Sequence, residues 1–76
     1  GDKLQAKIDA ALVRMDVALG LFVDFKSIKG VERDVKATGD DKLLDLFQKS
    51  VDDPKSDSKW FDFLAYLFES IVDELQ

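Results

Sequence analysis

The stretch LQAKIDAALVRMDVALGLF, residues 4–22, decides the fold. Leu4, Ile8, Ala11, Met15, Ala18 and Phe22 recur at spacings of four and three, and Leu12 and Leu19 widen the stripe. Such spacings collect side chains on one side of a helix. The run therefore predicts a helix of several turns whose Leu4–Phe22 face meets a core. Gly20 falls on the far side, where it lowers helix propensity without breaking packing. A second stripe, Ala6, Ala10, Val13, Val17 and Leu21, lies roughly opposite the first and consists of smaller side chains. Small residues let another helix come close, so this stripe is an expected partner-binding surface. The competing expectation is a first helix packed on both sides within its own bundle.

Working outward, Ile28, Val31 and Val35 carry an apolar helical spacing past Gly30. Residues 26–37 read as a kinked continuation or a separate short helix. Thr38 and Asp41 have the spacing of a capping box, with Asp in place of Glu, opening a helix through Leu43, Leu44, Phe47 and Val51. Asp52 to Lys59 is a polar linker, in which Asp53-Pro54, Ser56 or Asp57 can cap the last helix. That helix runs from about Trp60 to the end, with a polar stripe at Asp62, Tyr66, Glu69, Asp73 and Gln76. Its apolar arc spans about 200°, against the roughly 100° one core contact needs. Phe61, Phe63 or Val72 must then meet a second neighbour or form an exposed patch, and such patches mark binding sites. Phe61 and Tyr66 join the partner-binding candidates. No run alternates with period two. The expected fold is all-α, a small antiparallel bundle of three to four helices forming a single domain, 1–76.

Composition removes most chemistries. The 76 residues contain no Cys and no His, so disulfides, thiolate or imidazole metal sites and histidine catalysis are excluded. No P-loop, GxGxxG, GxSxG or HExxH motif is present. No cofactor and no enzymatic activity are expected. Eleven basic against sixteen acidic residues give a net charge of −5, the wrong balance for a nucleic-acid surface. A calcium loop starting at Asp53 fails, because Lys55 and Ser58 occupy positions that need an oxygen ligand and a glycine. The chain starts at Gly1 rather than Met and ends within a helical pattern, which reads as a domain excised from a larger protein.

Two charged groups remain. Lys26, Lys29, Arg33 and Lys36 share one face if the backbone is helical through Gly30, a candidate contact for anionic lipid or phosphate. Glu32 and Asp34 lie among them, the pattern of an ordinary solvated face. Asp40, Asp41, Asp45, Asp52, Asp53 and Asp57 form an acidic series that serves capping and solubility. At phosphate-like spacing the same series makes a nucleic-acid-mimicking inhibitor of a basic partner. The expected function is a non-catalytic protein–protein interaction or regulatory module that binds a partner helix or itself through apolar helix faces. The alternatives are a peripheral membrane-targeting bundle and the acidic mimic.

Overall fold

The computed structural model describes residues 1–76 and consists of four helices: α1 (Asp2–Phe22), α2 (Ile28–Ala37), α3 (Asp41–Asp52) and α4 (Asp57–Leu75). α1 packs against α2 and α4, and α3 completes the ring between them, giving an antiparallel all-α bundle with short connections. Each later helix is opened by a side-chain cap. Ser27 Oγ accepts from the Gly30 N–H, Asp40 from Leu43 and Ser56 from Lys59. The 26–37 segment is thus a separate short helix. The capping-box expectation is corrected by two residues: Asp40, not Thr38, is the cap. The Thr38 hydroxyl instead donates to the Val35 carbonyl and accepts from the Asp40 N–H, closing α2 rather than opening α3. The last helix begins at Ser56-Asp57, before Trp60.

The core joins Val17, Val31, Val35, Leu43, Phe47, Phe63, Leu67 and Ile71. Phe47 and Phe63 meet at 5.4 Å between ring centroids, and Trp60 packs on Phe63 at 5.6 Å.

The helices differ in length, and this shapes the molecule. α1 has 21 residues and α4 has 19, but α2 has 10 and α3 has 12. At 1.5 Å per residue α2 spans only about 15 Å beside an α1 of about 31 Å. Four helices therefore surround the core at one end, while α1 and α4 continue together beyond it. Residues 1–9 are exposed throughout, and burial along α1 begins at Ala10 and Ala11. Lys7 Nζ donates to the Gln76 carbonyl at 2.9 Å, placing the start of α1 beside the end of α4.

The buried side of α1 lies between the two expected stripes and takes residues from both: Ala11, Met15 and Ala18 from the first, Val17 and Leu21 from the second. Ala11, Arg14, Val17 and Gly20 are buried, while Leu4, Ile8, Leu12, Leu19 and Phe22 are exposed. Close approach of α2 and α4 selects the small members of both stripes, Ala11, Val17 and Ala18, and leaves the large Leu4, Ile8, Leu12, Leu19 and Phe22 outward. Gly20 is a point of contact rather than a spectator. A Cβ there would stand 3.2 Å from Lys26 Cδ, and the Gly20 carbonyl accepts from the Lys26 N–H at 2.8 Å.

Candidate functional site

The largest unpartnered feature runs along α1 and α4. Leu4, Ile8, Leu12, Leu19 and Phe22 on α1, with Phe61, Phe68, Val72 and Leu75 on α4, are all exposed. Isolated exposed leucines are ordinary, but a set spread along two adjacent helices is not. Between the helices lies a groove of about 450 Å³, lined only by Met15, Ala18, Leu19, Phe22, Val23, Phe68 and Ile71. Phe22 and Phe68 stack across it with centroids 6.2 Å apart and planes at 25°. Small Ala18 and flexible Met15 form the floor, which suits an inserted side chain.

Both long edges of this face are acidic. With successive residues turned by about 100°, Asp9 and Asp16 lie beyond Leu12 and Leu19, on the side of α1 away from α4. Asp62, Glu69 and Asp73 lie beyond Phe68 and Val72 on the opposite edge. Asp62 and Glu69 share a surface depression with Lys42 and Leu46 of α3, which fixes that edge on the α3 side. All five carboxylates are exposed, and none belongs to an ion pair.

Where the four-helix end gives way to the α1–α4 pair, a polar cluster closes the core. Arg14 donates through Nη1 to the Ala10 carbonyl at 2.9 Å and through Nη2 to Asp40 Oδ2 at 3.2 Å, with Glu74 Oε1 at 3.7 Å. The Tyr66 hydroxyl donates to the same Asp40 carboxylate at 2.9 Å. Partial burial pushes the Asp40 carboxyl up, but the Leu43 N–H, the Tyr66 hydroxyl and Arg14 together outweigh it and hold it below its ordinary value. Burial, then the bond to Asp40, raises the Tyr66 phenol above its ordinary value. Arg14 Nε is buried without a partner. This plug forms the wall of a polar depression of about 270 Å³ that it shares with Glu69, Ser70 and Asp73.

The expected site residues are dispersed. Val17 is 0% exposed and sits in the core, where no partner reaches it. Val13 and Leu21 are half-buried, Ala10 is at the margin, and Ala6 is exposed on the α1–α4 extension. Phe61 is 65% exposed and lies on the α4 side of the apolar face. Tyr66 is tied to Asp40, with Lys42 Nζ 5.0 Å above its ring. The basic group divides. α2 starts at Ile28, so Lys26 lies outside it and turns to Asp34 at 2.8 Å, an interaction that raises its pKa. Lys29, Arg33 and Lys36 stay together around Glu32, which pairs with Lys36 at 3.5 Å and accepts from Gln48. In the acidic series, Asp45 binds Lys49, Asp53 binds Lys59, and Asp40 is enclosed in the plug.

No group of three or more carboxylates is placed to hold a metal ion, and no helix is long and apolar enough to cross a membrane. A smaller pocket of about 260 Å³ opens at the loop end among Leu21, Ile28, Val31, Val51 and Trp60. No protein-family model matches the chain, and no curated protein or solved structure is significantly similar to it.

The apolar residues of the α1–α4 face were visible in the sequence as amphipathic stripes. Their outward direction was not, because two stripes on one helix compete for the core and only the neighbours decide between them. The signal that marks the outward stripe is the placement of unpaired acids at its borders, Asp9 and Asp16 on α1 and Asp62, Glu69 and Asp73 on α4.

Proposed function

We propose that this chain is a non-catalytic protein-interaction module that docks its partner on the α1–α4 face. The observation that carries the reading is the set of exposed apolar side chains along two packed helices, with an entirely apolar groove between them. Burying such side chains contributes about 25 cal/mol for each Å² removed from water, enough to drive association even after its entropic cost. The groove has the form that receives an amphipathic helix.

Site-specific photocrosslinking in the cells that make the protein tests this. A photoreactive residue in place of Leu19 or Val72 is expected to form a protein adduct, whereas the same residue at Lys29 or Lys49 forms none. Adducts at Lys29 or Lys49 with none at Leu19 or Val72 would move the docking surface to α2 and α3 and overturn the proposal.

A further inference from the structure

We infer that the occupant of the α1–α4 face is an amphipathic helix of another protein whose apolar stripe is bordered by Lys and Arg. The inference rests on the reading of that face as a docking surface and adds the chemistry of the partner. The groove selects shape. It lies between two antiparallel helices and runs from Met15 to Val23 along α1, about 12 Å, and the exposed Ile8, Leu12, Val72 and Leu75 extend the apolar face beyond it toward the roughly 28 Å length of α4, which a helix of about 18 residues covers. The edges select charge. Asp9 and Asp16 border one side, and Asp62, Glu69 and Asp73 the other, all exposed and free of ion pairs. A helix laid along the groove directs the residues beside its apolar stripe at these two rows. Basic residues there gain from both rows, and acidic residues are repelled by both.

The same charge argues against two other occupants. In an isologous contact between two copies, a face with carboxylates on both edges meets its own carboxylates. An anionic membrane is repelled in the same way. The basic group Lys29, Arg33 and Lys36 lies elsewhere, on α2, and Arg14 is buried in the plug, while beside the borders stand Lys26, near Asp16 and paired with Asp34, and Lys42, in the depression of Asp62 and Glu69.

The test uses the full chain, isotope-labelled for amide spectra, and two designed helical peptides of about 18 residues with the same leucine stripe. One peptide carries Lys beside the stripe and the other Glu. The Lys peptide is expected to shift amides along Ile8–Phe22 and Phe68–Leu75 and to bind at least about tenfold more tightly at low salt. That preference is expected to shrink as ionic strength rises from about 0.05 to about 0.3 M. It is also expected to vanish in the variant Asp9→Asn/Asp16→Asn/Asp62→Asn/Glu69→Gln/Asp73→Asn, whose substitutions are all on the surface and whose helicity is checked by circular dichroism.

Equal binding of both peptides on the same face overturns the charge selection and leaves the docking face standing. Absence of binding by either, with Leu19 adducts still formed in cells, overturns the basic-helix partner alone. Absence of Leu19 and Val72 adducts removes the docking face itself. Concentration-dependent shifts of the same amides without peptide, together with a doubled mass in light scattering, make a second copy the occupant and overturn the inference. So do shifts of that face on vesicles containing phosphatidylserine.

Discussion

Asp40 joins three elements through one carboxylate: it caps α3 at Leu43, receives the Tyr66 hydroxyl of α4 and pairs with Arg14 of α1. Asp40→Ala removes the cap, worth about 1 kcal/mol, and leaves the buried guanidinium with only the longer 3.7 Å pair to Glu74, so a loss of about 2–3 kcal/mol is expected in denaturant unfolding. Tyr66→Phe removes one hydrogen bond to a charged group and should cost about 1–2 kcal/mol. The two titrations bracket the stable range. The Asp40 carboxyl is held below its ordinary value of 3.8, so its contribution is complete above that value and is lost as pH falls through the depressed one. The Tyr66 phenol is raised above its ordinary 10.0, so its contribution is complete below that value and is lost as pH rises through the raised one. Melting curves of the wild type and Asp40→Asn should differ most at neutral pH and converge on acidification. A constant difference down to the acid transition would show that Asp40 is not held by these partners. Phe25 is the other residue with a distinct cost. It adopts φ 48 while 79% exposed, in the turn where the Asp24 and Lys26 N–H groups fold back onto the Leu19 and Gly20 carbonyls. Phe25→Gly should raise stability by about 1 kcal/mol, because glycine adopts this conformation without strain.

At the scale of the element, α1 carries the outcome that the sequence leaves open. Val17 and Leu19 are both apolar and stand two residues apart, yet one is in the core and the other on the surface. Val17→Glu buries an unpaired charge and should cost about 3 kcal/mol or more, often enough to unfold a small domain. Leu19→Glu should change stability by less than about 0.5 kcal/mol. Thermal melts of the pair therefore read out which stripe faces inward. The helical class and the approximate extent of α1, α3 and α4 are legible from periodicity and from capping candidates such as Ser56, whereas residues 26–37 read equally as a continuation of α1, because the cap that separates them, Ser27, carries no signal of its own amid the surrounding apolar spacing. The orientation of α1 is not legible, since both Leu12 and Val13 satisfy a helical repeat and the deciding fact is which sides of α1 the neighbours α2 and α4 cover. The shortness of α2 and α3 explains why the start of α1, with Leu4 and Ile8, lacks cover: neither helix extends that far. Amide exchange should follow this division. Residues 2–9 are expected to exchange fastest in α1 and residues 14–21 slowest, because only the latter are enclosed by the four-helix end. Uniform protection along α1 would contradict it.

Across the whole molecule, acid and apolar surface are arranged together. The extents of 44 × 21 × 20 Å describe an elongated body whose length is that of α1 and α4, and the unpartnered apolar surface runs along this length. The basic residues of α2 lie away from it, so the two halves of the surface present different chemistry. We propose the α1–α4 face, rather than the α2 patch, as the place where this molecule meets another, with its acidic borders choosing the partner. Mapping amide shifts on titration with the Lys-bordered leucine helix tests it most directly. The account predicts shifts concentrated at Ile8, Leu12, Leu19, Phe68 and Val72, unchanged resonances at Lys29, Arg33 and Lys36, and weakening with added salt. Shifts confined to α2 and α3, or an equal response to the Glu-bordered helix, would contradict it.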